Sequence, residues 1–307
     1  MDRRQLAYFC AVARHANFGK AAEALGVTQP ALSRQVQLLE DKFGLRLFRR
    51  HRRGVALTPE GLLLQERAEF LLRQFQQVEH DMVAKRQEAS GPVAIGFSPG
   101  IATLLAPLVA ADLGLRYPAI QLRVVEAFAP RLHEMLLDGQ LDVALLATVV
   151  PREGLLITPA AEEAICLIGP AAHPALAPEA VSISALAGLP LIINGLPRAG
   201  LRLEFESAAA RAGIRLETRA EVDTIHSAFA MVRAGLGFTI HIGWNVSDQK
   251  DLRAVPIRGL RLRRWIARAS GRPDSRAVIE TERTLREAIA GAIASGRWVG
   301  ARPMKGR

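Results

Sequence analysis

The apolar positions begin on a helical period. Leu6, Phe9, Cys10 and Ala13 recur three or four residues apart, then Ala21, Ala22, Ala24 and Leu25 lead to Gly26, a residue suited to the left-handed position just past a helix end. Two short helices are predicted. A third begins in VTQPALSRQVQLLE, residues 27–40, where Thr28 stands as N-cap. Gln29 and Pro30 occupy its first turn, in which a missing N–H deprives the helix of nothing. Leu32, Val36, Leu39 and Phe43 give it a buried face, and Gln29, Ser33, Arg34 and Gln37 fall opposite. Two helices joined by a tight turn, the second presenting hydrogen-bonding side chains near its N-terminus, are the helix-turn-helix arrangement.

The period then shortens. LRLFRRHRRGVALT alternates Leu45, Leu47, Val55 and Leu57 around a basic tip from Arg49 to Gly54, which predicts a two-stranded wing. Thr58-Pro59-Glu60 repeats the helix-start signal, and a long helix follows to about residue 88. Along it Leu64, Ala68, Leu71, Phe75, Val78 and Met82 fall at alternating steps of four and three, the seam of a pairing helix. A helix facing the core of its own domain carries the same stripe. Ser90-Gly91-Pro92 marks a linker.

From Pro92 onward short apolar runs alternate with helical stretches. PVAIGF, IATLLAPLVAADLGL, QLRVVEAF, PRLHEMLLDG and VALLA read as β-α-β-α-β with a parallel sheet. A second set spans ICLIGP, LPLIIN, a helix near 201–212, LETRAEV, a helix near 227–234 and GFTIH. The expected domains are 1–58, 59–90 and 91–300.

Charge sharpens this picture. The formal net charge is +10, and residues 1–58 hold 11 Lys or Arg against 4 Asp or Glu, so the polyanion-facing end is the N-terminus. Cys10 and Cys166 are too few for a disulfide framework or a zinc site, and a reducing compartment fits. No run approaches the roughly 18 apolar residues of a membrane span. A soluble cytoplasmic protein without metal, cofactor or membrane partner is expected.

Reading DNA takes cations along phosphates and donors or acceptors at base edges. Gln29, Ser33, Arg34 and Gln37 are the candidate base readers. Thr28 and Pro30 set the helix entry, with Thr28 in reach of phosphate. Arg49, Arg50, Arg52 and Arg53 form the phosphate or minor-groove cluster, with Arg3 and Arg4 as lesser candidates.

AAEALGVTQPALSRQVQLLEDKFGLRLFRR followed by LTPEG resembles the LysR-type transcriptional regulators, and MVRAGLGFTIH resembles a segment of their second lobe. The resemblance covers the whole chain. It implies an α/β protein with an N-terminal winged helix-turn-helix, a long linker helix and a two-lobed effector domain like a periplasmic binding protein. Lobe I would take residues 92–165 and 268–297, and lobe II 166–267. It also implies a homodimer, pairing again into a tetramer, on a double-stranded operator with dyad symmetry, controlled by a small effector and working on RNA polymerase. GFSPG and GLRLEFESA are similar to the nitrogen-assimilation control type, which points to effector independence as the alternative.

Ligands of two-lobed α/β domains sit beyond strand carboxyl ends near helix N-termini. Ser98, Pro99, Gly100, Phe128, Asn194, Arg198 and Thr224 fit that description, and the hydroxyls and the Arg198 charge suit a carboxylate ligand. Ser98 and Thr224 serve equally as ordinary N-caps. His241 stands where family members line the cleft, with a satisfied core histidine as the other reading. Ile242-Gly243-Trp244 follows where the family usually has proline, which alters the cleft wall.

GFSPG also matches the G-x-S-x-G elbow of serine hydrolases, but the residue after the serine must donate its N–H to an oxyanion, and Pro99 has none. No enzyme is expected. LRLRRWIARAS, residues 260–270, is basic, yet Leu260, Leu262 and Ile266 alternate inward, so a solvated crossing strand is preferred to a second nucleic-acid site.

Overall fold

The computed structural model describes residues 1–51, 54–83, 89–147, 153–197, 200–271 and 274–304, apart from the side chains of Arg50, Gln76, Gln77 and residues 80–83. The chain forms two compact units, Met1–Gln87 and Glu88–Arg307.

In the first unit, α1 (Arg3–His15) opens with a reciprocal capping box between Asp2 and Gln5. Asn17 caps α2 (Phe18–Ala24) by accepting from Lys20 N at 3.0 Å, and Gly26 takes φ 64° beyond its end, as the sequence predicts. α3 (Gln29–Phe43) has Thr28 at its N-cap position, but the Thr28 side chain makes no capping bond. Leu32, Val36 and Leu39 are buried against Leu6, Phe9, Val12 and Ala21. Phe43, expected on that face, is exposed, because the helix runs past the edge of the core before Gly44 ends it.

β1 (Phe48–His51) pairs antiparallel with β2 (Gly54–Leu57) to form the wing, with Arg49 opposite Ala56. Leu45 lies outside the strands and is exposed. α4 (Pro59–Val83) starts where Gly61 N donates to Thr58 Oγ1 at 3.0 Å. A Cβ on Gly61 would stand 2.2 Å from the Leu47 carbonyl oxygen, so only glycine admits this approach of helix to wing.

The stripe on α4 divides. Leu64, Ala68 and Leu71, expected in a dimer seam, pack into the core of their own unit, with Ala68 fully buried. α1 supplies the apolar partner first, so the first unit extends beyond residue 58. Phe75 and Val78 stay 46% and 58% exposed, and the Met82 side chain lies outside the described residues. Arg3 lies over the Phe75 ring and pairs with Glu79 on the exposed side of the unit.

The second unit contains β3 (Gly91–Phe97), α5 (Ala102–Arg116), β4 (Ile120–Glu126), α6 (Ala129–Leu137), β5 (Val143–Ala147), β6 (Leu155–Pro170) and β7 (Pro190–Asn194). It continues through α7 (Gly200–Arg211), β8 (Glu217–Val222), α8 (Ile225–Arg233), β9 (Phe238–Ile242), β10 (Leu252–Ala269), α9 (Arg276–Ala294) and β11 (Ala301–Pro303). The strand order is β4-β3-β5-β10-β6-β9-β7-β8, with β11 beside β6. β3 runs parallel to β4 and β5, and β7 parallel to β8 and β9, as the alternating pattern predicts. β6 and β10, antiparallel to each other, cross from one set to the other.

The first lobe buries Phe97, Leu105, Val109, Val143 and Leu285, and the second Leu191, Ile193, Phe205, Phe238 and Ile240. The expected boundary between residues 165 and 166 falls inside the unbroken β6. β10 already meets β5 at Arg264, ahead of the expected return at 268.

Between the crossing strands lies a buried ion pair. Arg264 Nε donates to Glu163 Oε1 at 2.6 Å, with both side chains 1% exposed, and Trp298 Nε1 donates to Glu163 Oε2 at 2.6 Å. Arg264 also stacks over the Trp298 ring, while β11 pairs with Ala161–Glu163. Desolvating two charges costs several kcal/mol per ion, so the pair persists only through its geometry and the added indole bond. We expect Glu163→Ala to destabilise this unit by ~3–5 kcal/mol in urea unfolding, and Glu163→Leu with Arg264→Met to restore most of the loss. A single-variant loss under about 1 kcal/mol, the level of an exposed pair, would contradict this account.

Candidate nucleic-acid interface and effector cleft

On α3, Gln29, Pro30, Arg34 and Gln37 are exposed and Ser33 is half-buried, while Thr28 is exposed at the helix entry. The helix period explains this. With Leu32, Val36 and Leu39 committed to the core, Gln29, Pro30, Arg34 and Gln37 fall on the opposite face and Ser33 at its rim, while Glu40 stays on the buried side. Arg49 is exposed on β1. The Arg50 side chain and Arg52 and Arg53 lie outside the described residues.

Between α3 and the wing lies a groove of about 510 Å³ lined by Phe18, Ser33, Gln37, Glu40, Arg46 and Arg49 among others. Glu40, which sequence reasoning passed over, is buried at its floor. Its Oε1 accepts from Leu47 N at 2.8 Å and Phe48 N at 3.3 Å, and its Oε2 accepts from Arg46 Nη1 at 2.9 Å. The carboxylate thus ties the end of the reading helix to the start of the wing.

In the second unit the predicted cleft residues divide. Ser98 is buried; its hydroxyl donates to the Leu145 carbonyl at 3.3 Å and accepts from Ala147 N at 2.9 Å, so it joins β3 to β5. It is not the N-cap of α5, a position held by Ile101. Neither of its bonds goes to a histidine, and with Pro99 following, the hydrolase reading has no activated nucleophile. Thr224 is an N-cap, accepting from Ser227 N at 3.2 Å. Arg198 lies outside the described residues.

Gly100 and His241 do meet across the lobes, and Phe128 meets Gly195, the residue after Asn194. A Cβ on Gly100, at φ 88°, would lie 3.3 Å from His241 Cε1 and 3.4 Å from Asn245 Nδ2. One on Gly195, next to Asn194, would lie 3.7 Å from Phe128 Cε1. The approach is tight only at Gly100; at Gly195 the distance is an ordinary contact, although its φ of 91° also favours glycine. Gly100 N also donates to Glu126 Oε1 at 2.7 Å, and Asn245 Nδ2 donates to His241 Nδ1 at 2.7 Å. Trp244 packs against the cores of both lobes, with its buried indole N–H finding no partner among the described residues.

The sequence missed Glu126, Asn245 and Arg264. Asn245 stands four residues after His241, a spacing that was readable once a helical turn was suspected there. Arg264 belongs to the inward series of Leu260, Leu262 and Ile266, and the alternation that buries those buries it too. The strand is therefore less solvated than its composition suggested.

A winged helix-turn-helix with an exposed polar reading face, followed by two α/β lobes joined by crossing strands, defines a DNA-binding regulator with an effector domain. The chain belongs to the LysR family of transcriptional regulators. The family profile "Bacterial regulatory helix-turn-helix protein, lysR family" matches residues 3–62, and "LysR substrate binding domain" matches residues 86–290. The hydrogen peroxide-inducible genes activator of Pectobacterium carotovorum subsp. carotovorum is 32% identical over 251 residues, which is 82% of this chain and 83% of that protein. A full-length OxyR variant from Pseudomonas aeruginosa superposes with TM-score 0.70 at 25% identity, covering 94% of both chains. Full-length CbnR complexed with its target DNA gives TM-score 0.72 at 22% identity, covering 94% of this chain and 100% of that one, and so shares the fold. These relatives lend no support to the nitrogen-control type, and that subfamily assignment is dropped.

His241 supplies a test of cleft burial. Burial first, and the Arg264 charge second, lower its pKa from 6.5 to about 3. The unfolded chain therefore takes up this proton at a higher pH than the folded one. The contribution of a neutral His241 is fully present above pH 6.5 and is lost as pH falls through the window toward about 3. We expect a slope of about 1.4 kcal/mol per pH unit from this residue inside the window. His241→Gln, which cannot ionise, should flatten the fall in urea midpoint between about pH 6 and pH 5, and an unchanged profile would place His241 in water.

Proposed function

We propose that this protein binds a double-stranded DNA operator with dyad symmetry as a homodimer, reads bases with α3, and adjusts transcription when a small effector alters the two lobes. The observation that carries this is the partition of α3: Leu32, Val36 and Leu39 are buried while Gln29, Arg34 and Gln37 are exposed beside a cationic wing. Arg34 and the glutamines contact base edges in the major groove. Arg49, with Arg50, Arg52 and Arg53, contacts phosphates or the minor groove. Self-association uses the stretch of α4 that the first unit leaves exposed, including Phe75 and Val78, and pairing of dimers and contact with RNA polymerase follow the family pattern.

The effector lies where the Gly100 loop meets His241 and Asn245, with Phe128 and Asn194 at the other interlobe contact. A ligand there shifts transcription only by binding one lobe arrangement better than another. The protein works in the cytoplasm, where DNA is found, and catalyses no reaction. The peroxide response in the name of the Pectobacterium relative does not transfer through a thiol: burial pushes the Cys10 and Cys166 thiols up to about 12, which leaves them protonated and unreactive.

Selection of bound duplexes from a random pool with the purified protein should recover a dyad with half-sites about one helical turn apart, or a multiple of it. Arg34→Ala should then relax preference at one position per half-site, at a cost of ~1–3 kcal/mol for the preferred base, whereas Arg49→Ala should weaken all sequences alike. Uniform weakening by both variants would remove α3 from base reading.

A further inference from the structure

We propose that Arg46 is a DNA contact: Glu40 holds its guanidinium at the rim of the groove between α3 and the wing, where it and Arg49 grip a backbone phosphate. The inference rests on the DNA-binding reading above and adds to it a phosphate seat with a positioning residue beneath.

The ion pair is asymmetric. The Glu40 side chain is 10% exposed and that of Arg46 78% exposed, so the acid is a fixed point in the protein and the guanidinium reaches from it into solvent. Only Nη1 of Arg46 is engaged, which leaves Nη2 and Nε without a partner among the described residues. The Arg46 backbone is also fixed, because its carbonyl accepts from Thr58 Oγ1 at 2.7 Å and the neighbouring Leu47 carbonyl accepts from Thr58 N at 3.0 Å. An arginine held at both its backbone and one nitrogen has given up most of its rotamer freedom before a ligand arrives, which is the usual route to affinity through preorganisation.

Charge in the groove is compatible with a phosphate. Glu40 would repel one if bare, but two backbone amides and the Arg46 guanidinium occupy its oxygens. Arg46 and Arg49 line the same groove as Ser33 and Gln37. A strand following that groove thus meets two arginines at its backbone, next to the side chains assigned to bases. A phosphate rather than a base is the fitting partner, because Arg46 rises from the base of the wing and not from the helix that enters the major groove.

The test is the salt dependence of binding to the operator recovered from the pool, for full-length wild type, Arg46→Ala, Glu40→Gln and the double variant, with exposed Arg263→Ala as a charge control. Losing one phosphate contact should lower the slope of log affinity on log salt by about 0.9, so between about 50 and 200 mM the affinity of Arg46→Ala should fall about 3.5-fold less than that of wild type. Base preference should not change. Glu40→Gln keeps an acceptor for the two amides and releases Arg46, so it should weaken binding, and the double variant should be no weaker than Arg46→Ala alone. Thermal melting checks folding, and Arg46→Ala, at an exposed position, decides the question if Glu40→Gln unfolds.

A wild-type slope in Arg46→Ala, or an altered preference at one base, would overturn the phosphate contact. Tighter binding by Glu40→Gln would overturn the positioning role. Failure of wild type itself to select any sequence would instead sink the DNA-reading proposal, and the two failures are thereby distinct.

Discussion

A helix that commits one face to a core can present its other face in one orientation only. That constraint governs α3, where Leu32, Val36 and Leu39 lock the rotation of the helix and so aim Gln29, Arg34 and Gln37. Apolar burial of this size is worth roughly 1.5–3 kcal/mol per large side chain, ample to hold the rotation against thermal motion. Proline in the first turn and glycine past the last set the length of the rod. Glu40 then carries the same orientation into the wing, because it belongs to the anchored face and reaches the amides of Leu47 and Phe48.

The second unit is organised on the same logic with a different element. Two strands, β6 and β10, belong to both lobes, so each lobe is held to the other by backbone ladders as well as by loops. The register of β10 against β6 is irregular between Pro256 and Arg261, and β11 with Trp298 covers the adjoining stretch of β6. A buried pair such as Glu163 with Arg264 adds little net stability, yet it penalises any register that separates the two charges. The crossing strands therefore have one well-defined pairing at the point where lobe movement would bend them.

Much of this was legible in the sequence, and the failures share a cause. Periodicity found α1 to α4, the wing and the alternating lobes, because each of those elements buries its own apolar face and leaves the pattern intact. Periodicity could not say which partner covers a face. The stripe from Leu64 to Met82 looked like one seam, but α1 takes Leu64, Ala68 and Leu71, and nothing in the spacing distinguishes a neighbour in the same chain from one in another. Ser98 and Arg264 failed differently. A polar residue at a strand end or within a basic run reads as ligand-facing or solvated until its long-range partners, Leu145 and Glu163, are known. Glu40 was invisible for the same reason, since its partners are backbone amides beyond the helix end.

The interlobe contacts set what an effector must do. Gly100 against His241 and Asn245, and Gly195 near Phe128, join the lobes; a Cβ on Gly100 would press His241 by a few tenths of an ångström, while one on Gly195 would meet Phe128 at ordinary contact distance. An effector bound there, as proposed, meets the His241, Asn245 and Phe128 side chains where they face the glycine backbones. It must either separate the lobes or replace the contact with its own atoms. Neutral His241, bonded to Asn245 and set near the Arg264 charge, makes the second course selective: a ligand that takes the Asn245 amide must leave the imidazole a substitute partner. Effector identity and lobe geometry are in this way the same physical question, since differential binding to the two arrangements is the only means by which a small molecule can move such an equilibrium.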